Sequence, residues 1–333
     1  MRRYGRRQLL QGSLVAAGFI LLAGCERPDQ QATKVRRIGF LGTGSREGRA
    51  FMIEGLLQGL RERGYVEGQT IVIEYRFSDD RDDRLSALAA ELLNLKVEVI
   101  VASGAPASLA ATQATSTIPI VMGAFAAPVE TGLVGSLARP GGNVTGMSTM
   151  TSELGGKQLE LLKEIVPGLA RVAVLWNPTN PVYAPILRQL EAVAPTLRVK
   201  PQRVEVRVPG DFEGAFETAT KQRTGALIAP NEPLFVNRPK TIADLALKYR
   251  LPTVMANKEF VIAGGLLSLG PDLADLYRRA ATHVDKILKG ANPADLPMEQ
   301  PTKLDLFVNL KTAQALGLTI PQSVLLQATQ IIQ

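Results

Sequence analysis

Few residues of this chain could carry nucleophilic or metal chemistry. The 333 residues include one histidine, His283, and one cysteine, Cys25. His283 falls on a helical pattern among Ala280, Val284 and Ile287, where a histidine needs only one hydrogen-bond partner and is usually structural. Cysteine–histidine pairs, histidine-based metal sites and catalytic triads therefore lack the necessary side chains. We expect no catalytic residue, no metal and no cofactor.

Two short motifs could hold a charged group. Residues 42–48, GTGSREG, follow an apolar strand and open a helix, as a dinucleotide-binding loop would. The third glycine comes one position late for that fingerprint, which favours a plain glycine-rich turn whose helix amides could bind an anion. Residues 79–83, DDRDD, suggest a cation site, but acids at a helix start are also favoured by the helix dipole.

The elements that must position any site alternate between strand and helix. This alternation begins at Arg36 and restarts at Arg171, which predicts an α/β protein with two Rossmann-like lobes and parallel sheets. Elements after residue 266 must return to one lobe or the other, so we expect a hinge with several chain crossovers. The predicted strands are 36–41, 70–77, 97–102, 118–122, 172–176, 200–208, 226–229, 252–256, 266–269 and 304–309. The predicted helices lie between them, among them one helix over 233–249 and one over 273–288.

A ligand of such a fold is expected beyond the carboxyl ends of the parallel strands. Small and polar residues follow those ends, which suits hydrogen bonding to a small polar molecule, although the same residue types are common in ordinary turns. The predicted ligand-binding residues are Thr43, Ser45, Ser103, Gly104, Ala105, Phe125, Asn177, Tyr183, Asn231, Glu232 and Asn257. Among them, Ser103, Asn177 and Asn231 are the residues that we most expect to line the cleft.

The net charge of +7 does not indicate a nucleic-acid partner. Four of the basic residues are arginines within the first seven positions. Without the first 24 residues, 34 basic residues face 31 acidic ones, which leaves a charge of about +3. A nucleic-acid-binding surface needs a basic face as well as a basic total.

The N-terminus has the layout of an export signal. Basic residues 2–7 precede the apolar run 14–23, which is too short to span a bilayer comfortably. Leu22-Ala23-Gly24-Cys25 resembles a bacterial lipobox, and this implies cleavage before Cys25 and a membrane anchor through lipid on its thiol. Arg6-Arg7 resembles a twin-arginine signal. The alternative is an uncleaved anchor helix.

These features together predict the domain organisation. We expect a signal peptide at 1–24 and a lipidated flexible tether at 25–35. Lobe 1 is predicted to comprise 36–149 plus about 272–298, and lobe 2 to comprise 150–271 plus about 299–333. The protein is expected on the periplasmic side of a membrane.

Five stretches resemble one known family. They are 61–69 (RERGYVEGQ), 138–146 (ARPGGNVTG), 156–164 (GKQLELLKE), 287–297 (ILKGANPADLP) and 309–321 (NLKTAQALGLTIP). They are similar to the substrate-binding lipoproteins of ABC transporters whose better-understood members bind tryptophan, tyrosine or phenylalanine. The resemblance extends from about Arg36 to the C-terminus. It implies a type I periplasmic-binding-protein fold, a ligand held between the lobes, an ABC permease as partner, and no catalysis.

One position departs from the family pattern. Where the family usually has Asp-Pro-Val after the fourth strand, this chain has Ala127-Pro128-Val129. A carboxylate there could pair with the ammonium of a ligand, and alanine cannot. Glu130, Glu232 and Glu259 are the acids that could substitute.

Three other functions are alternatives to a transport receptor. A sensory receptor of the same fold would present its closed form to a signalling partner. A transcription regulator of the lactose-repressor type would need a helix-turn-helix before Arg36, where this chain has the leader. An enzyme is disfavoured by the shortage of catalytic side chains.

Overall fold

The computed structural model describes residues 35–149, 151–180 and 182–333. The predicted leader, most of the tether and Cys25 lie outside the described residues. Within them the chain forms twelve strands and twelve α-helices. The strands are β1 Arg36–Gly42, β2 Ile71–Phe77, β3 Val99–Ser103, β4 Ile120–Phe125, β5 Val144–Ser148, β6 Arg171–Trp176, β7 Lys200–Glu205, β8 Ala226–Ala229, β9 Thr253–Met255, β10 Leu267–Gly270, β11 Asp305–Asn309 and β12 Gln330–Ile332. The helices are α1 Ala50–Arg61, α2 Leu85–Asn94, α3 Ala105–Ala114, α4 Thr151–Ile165, α5 Tyr183–Val193, α6 Phe212–Lys221, α7 Pro233–Val236, α8 Pro239–Lys248, α9 Lys258–Ile262, α10 Leu273–Leu288, α11 Leu310–Leu316 and α12 Gln322–Gln327.

The strands form two sheets. The first has the order β2-β1-β3-β4-β5 with parallel pairing throughout. The second has the order β12-β11-β10-β9-β8-β6-β7 and is parallel except for the antiparallel pair β10–β11. Central strands such as β3 are buried along their whole length, as expected of parallel strands covered by helices on both faces. We call the first sheet with its helices lobe 1 and the second lobe 2.

Helix α10 joins lobe 1 although it follows β10 in the chain. It packs against α1 and against β3, β4 and β5. Two glycines of α1 allow the close approach: a Cβ at Gly55 would lie 2.2 Å from the carbonyl oxygen of Ala274, and one at Gly59 would lie 2.1 Å from that of Arg278. The backbones of the two helices are therefore in direct contact.

The chain passes between the lobes three times: after β5, after β10 and before β11. Before the third passage it runs along β5, where the Glu299 amide donates to the Gly146 carbonyl and the Ser148 amide donates to the Glu299 carbonyl, at 2.9 and 2.8 Å. This arrangement confirms the predicted fold class: two Rossmann-like lobes joined by a hinge with several crossovers.

Two predicted elements were wrong. The predicted strands pass from 118–122 directly to 172–176, yet the structure has β5 and α4 between them. The predicted helix over 233–249 is divided into α7 and α8. The division falls at Arg238, whose φ of −133° and ψ of 49° are not helical, because the following Pro239 disfavours helical backbone in the residue before it.

Candidate functional site

A cavity that is partly open to solvent lies between the lobes. It borders the carboxyl ends of β3, β4 and β8, and most of its walls are small or apolar side chains. We call it the apolar cavity. Lobe 1 contributes Arg49, Met52, Gly104, Ala105, Ala124, Ala126, Leu273 and Tyr277, lobe 2 contributes Asn180, Val182, Ile186, Asn231, Pro233 and Val236, and Thr149 lies on the first passage between the lobes.

Arg49 is the one charged residue among the described residues of this lining, and it is only 3% exposed. Its Nε donates to the carbonyl oxygen of Thr43 at 2.9 Å, and its Nη2 donates to Thr43 Oγ1 at 2.6 Å. Its Nη1 donates to Ser103 Oγ at 3.1 Å, and the hydroxyl of Tyr277 donates to the same oxygen at 2.5 Å. The guanidinium is therefore fixed by a buried network that belongs wholly to lobe 1.

Burial dominates the electrostatics of this network. It lowers the pKa of the Arg49 guanidinium, and the charges of Tyr277, Glu232 and Asp82 partly oppose that effect. It also raises the pKa of the Tyr277 hydroxyl. Among the described residues, no carboxylate oxygen lies within 4.0 Å of Arg49. Burying a cation without a paired anion lowers the stability of a folded protein, so the burial of Arg49 needs a physical reason.

The first turn of α3 forms another part of the wall. Gly104, immediately before α3, has a φ of +95°, and a Cβ there would lie 2.3 Å from Thr43 Oγ1 and 3.0 Å from Pro233 Cγ of lobe 2. Only glycine lets the lobes approach this closely at that point. The first amides of a helix lack intrahelical acceptors, so this wall also favours negative charge.

A second cavity shares Pro233 with the first. We call it the polar cavity because it carries three acids and an arginine. Its lining comprises Thr43, Gly44, Asp80, Asp82, Asn177, Thr179, Arg207, Val208, Pro209, Glu232, Pro233, Leu234 and Asn237.

Glu232 is the most buried acid of the polar cavity, at 2% exposure. Its Oε1 accepts from Asn177 Nδ2 at 3.1 Å and its Oε2 accepts from the Leu234 amide at 2.6 Å, which caps α7. Burial raises the pKa of Glu232 to about 7, although hydrogen bonds from Asn177, the Leu234 amide and Asn180 oppose the increase. This carboxyl is therefore close to half-protonated near neutral pH.

The lobes are in contact on both sides of the cavities. Asp80 of lobe 1 forms an ion pair with Arg238 of lobe 2. Gly44 lies directly against Asn237, because a Cβ at Gly44 would come within 2.0 Å of Asn237 Nδ2. Val182 packs with Phe125 in a buried apolar cluster. The structure is thus the closed form of a two-lobed protein.

The structure divides the predicted site residues between different surroundings. Gly104, Ala105 and Asn231 line the apolar cavity, whereas Thr43, Asn177 and Glu232 line the polar cavity. The other described ones line neither: Ser103 is buried in the Arg49 network, Phe125 is buried in the core, Ser45 Oγ accepts from the Gly48 amide, and Asn257 Nδ2 donates to Glu259 Oε2. Tyr183 begins α5, and its side chain lies outside the described residues. Ligand contact by any of these residues remains a prediction.

The family position with the missing aspartate lies beside the apolar cavity rather than in its lining. Ala127 has a φ of +50° and is 4% exposed within the core of lobe 1, while its neighbour Ala126 lines the cavity. Of the substitutes considered, Glu130 is exposed, and Glu259 lines a separate recess with Lys258.

Sequence reasoning missed Arg49 and Tyr277. A signal for both was present in the helical periodicity. Arg49 continues the buried stripe of Ile53, Leu56 and Leu60 by one turn, which places a charge in register with a core-facing row. A charged residue at such a position is informative because it is rarely buried without a purpose.

The described residues offer little for metal or histidine chemistry. They contain no group of three or more His, Cys, Asp or Glu side chains placed to hold a metal ion. His283 is 3% exposed and its Nε2 lies 3.0 Å from the carbonyl oxygen of Pro297. Burial lowers the pKa of His283, which favours the neutral form of the ring.

The comparison with known families agrees with this geometry. A family model described as "ABC transporter substrate binding protein" matches residues 39–332. The chain belongs to this family. Like the fold, the match covers both lobes and the hinge.

Individual substrate-binding relatives cover nearly the whole chain. The tyrosine-binding protein of Clostridioides difficile (strain R20291) is 26% identical over 320 residues, which are 92% of each chain. The structure of the ABC domain in complex with L-Trp from Streptococcus pneumonia is 26% identical, with a TM-score of 0.83 over 90% of this chain and 100% of that one. The leucine-binding protein LivK of Thermotoga maritima is 16% identical, with a TM-score of 0.58 over 78% of this chain and 85% of that one, and so shares the fold.

None of the helices described in this substrate-binding protein is long and apolar enough to cross a membrane.

Proposed function

We propose that this protein captures a small, amino-acid-like molecule in the apolar cavity and delivers it to the permease of an ABC importer, without catalysing a reaction. The observation that carries the proposal is the cavity itself, which takes its walls from both lobes of a closed substrate-binding protein. A molecule there would contact both lobes at once and would favour the closed state over the open one. Differential binding to two states is all that such a receptor requires.

The amino-acid-like character of the ligand rests on the relatives. One of them is a tyrosine-binding protein and another was solved with L-Trp. Asn231 supports a polar ligand, because it places a side-chain amide in the lining of the cavity.

The test is a thermal-shift screen of the purified protein against amino acids, their derivatives, sugars, nucleosides and polyamines, followed by calorimetry. Replacing Asn231 with Ala should lower the affinity for the molecule found by about tenfold, because one polar contact to a ligand is worth about 1.4 kcal/mol. Asn143→Ala is the matched control, since Asn143 lines neither cavity, donates to the carbonyl oxygens of Thr115 and Ile118, and should chiefly affect stability. Unchanged affinity in Asn231→Ala would place the ligand elsewhere.

We also propose that the protein acts outside the cytoplasmic membrane, anchored through lipid on Cys25. The support is the leader, with its basic start, its apolar run and the sequence before Cys25. Cys25→Ser should release the protein from the membrane fraction of expressing cells while the affinity of the purified protein is retained. Full retention of Cys25→Ser in the membrane fraction would contradict lipid anchoring.

A further inference from the structure

The buried Arg49 guanidinium is the one cation among the described residues lining the apolar cavity, and every acceptor around it is neutral. These acceptors are a main-chain carbonyl and hydroxyl at Thr43, the hydroxyl of Ser103 and the thioether of Met52. The hydroxyl of Tyr277 is a further partner, and burial raises its pKa and so favours its neutral form. Buried salt bridges normally give such a charge a carboxylate at hydrogen-bond distance, because burial without a partner is strongly unfavourable. The geometry points to a partner that arrives with the ligand.

The two acids that act on Arg49 from further away are already engaged. Glu232 accepts hydrogen bonds from Asn177 and from the Leu234 amide and lines the polar cavity. Asp82 accepts from the hydroxyl of Ser78 at 2.8 Å and lines the same polar cavity. Neither belongs to the lining of the apolar cavity, so a ligand anion there would not displace an existing ion pair.

The part of the cavity wall next to Arg49 also has a positive electrostatic potential. Gly104 and Ala105, at the first turn of the ten-residue helix α3, line the cavity beside Arg49. The positive end of the α3 dipole therefore adds to the guanidinium charge. The remaining walls are mainly alanine, valine, isoleucine and leucine side chains, which suit an uncharged apolar body.

We propose that Arg49 binds the carboxylate of the ligand, an inference that rests on the proposed function. The protein then binds small carboxylates with an apolar body and rejects their neutral and cationic analogues. All the groups that hold Arg49 belong to lobe 1, so this half of the site exists before the lobes close. The carboxylate docks on lobe 1 first, and lobe 2 then closes over the apolar body with Asn231 and Val236.

The experiment uses matched acid and amide pairs on the purified protein: phenylalanine and phenylalaninamide, leucine and leucinamide, 3-phenylpropanoate and 3-phenylpropanamide, and 4-methylpentanoate and 4-methylpentanamide. For every acid that binds, calorimetry should show at least a 30-fold loss of affinity in the amide. An amide within threefold of its acid overturns the proposal.

Two substitutions of Arg49 test whether this residue causes the preference for acids over amides. Arg49→Met should lower the affinity for the acid at least 100-fold. Arg49→Lys should lower it less, because lysine retains the positive charge, although it lacks the planar guanidinium that can donate two parallel hydrogen bonds to a carboxylate. The control is Arg76→Gln, which removes an exposed pair with Glu91 in the same lobe and should leave the affinity unchanged. Acid binding by Arg49→Met within threefold of the unsubstituted protein overturns the assignment. Should Arg49→Met not fold, the acid and amide pairs decide alone.

The outcome also separates this inference from the proposed function. If a sugar, nucleoside or polyamine binds tightly and no carboxylate does, the inference is wrong and the receptor function stands. If no molecule of the whole panel binds, the receptor function itself is contradicted.

Discussion

The two cavities between the lobes share one wall residue, Pro233, and are opposite in chemistry. The apolar cavity has a single described charge, Arg49, set among small apolar side chains, whereas the polar cavity carries Asp80, Asp82, Glu232 and Arg207. In the apolar cavity the charge is buried and lacks an ionic partner. In the polar cavity the charged groups have partners of their own or reach solvent. This contrast is the reason for proposing that the ligand lies in the apolar cavity and that the polar cavity is a seam between the lobes.

The largest expected effect comes from filling the apolar cavity. Ala126→Phe places a ring where the apolar body of a ligand would lie and should lower the affinity for the molecule found at least 100-fold, about 3 kcal/mol. Val208→Trp is the matched control, because Val208 lines the polar cavity and is 53% exposed. Calorimetry on both variants tests the contrast. A larger loss in Val208→Trp than in Ala126→Phe would reverse the assignment of the two cavities.

A second effect concerns stability, and it arises in the polar cavity. The pKa of Glu232 is raised to about 7 in the folded protein, from an ordinary value of about 4.5. Between these values the folded state holds more protons than the unfolded state, so the free energy of unfolding falls as pH rises, by about 3 kcal/mol in total. Glu232→Gln does not titrate and should therefore melt at a higher temperature than the unsubstituted protein above pH 7.

The advantage of Glu232→Gln should shrink as pH falls below 7 and be smallest near pH 4.5, where the carboxyl is protonated in the folded protein and largely also in the unfolded chain. Thermal melts from pH 4.5 to 8.5 measure it, with Glu47→Gln as an exposed control that should follow the unsubstituted protein. A constant difference across this range would show that burial does not shift the titration of Glu232.

The smallest expected effect concerns an ion pair between the two lobes. Arg238→Gln removes the ion pair with Asp80, which joins the lobes only in the closed state. Partly exposed pairs contribute about 0.2–1 kcal/mol, so ligand affinity should fall about threefold, and less in 1 M salt. Arg203→Gln, which breaks a pair with Glu191 inside lobe 2, should leave affinity unchanged. Equal losses in both variants would contradict a role in closure.

Much of the fold followed from periodicity, and the reasons are local. Val99–Ser103 is apolar and bounded by polar residues, and it is a fully buried strand. The strand β5, VTGMS, was missed because its glycine weakens the pattern. Gly146 has a φ of +131°, and a Cβ there would lie 2.2 Å from the carbonyl oxygen of Met122, so the glycine serves a tertiary contact that no local pattern reveals.

The site was less predictable, because closure decides which residues meet. Asn177 and Asn231 both follow strand ends of lobe 2, yet they line different cavities. The proposed role of Arg49 depends on its hydrogen bond to Ser103, which is 54 positions away, and on the absence of a carboxylate near the guanidinium. Neither can be deduced from the local sequence. The ends of the strands show where the cleft between the lobes lies. They do not show which of the two cavities a given residue will line once the lobes meet.

Two of the three passages between the lobes border the apolar cavity. Thr149 follows β5 at the first passage, and Leu273 follows β10 at the second, and both belong to the lining. A molecule bound there would rest against the hinge as well as against the lobes. On the proposed function, we expect the angle between the closed lobes to depend on the volume of the ligand, so that a permease in contact with both lobes would respond to the fit of the ligand without contacting the ligand itself.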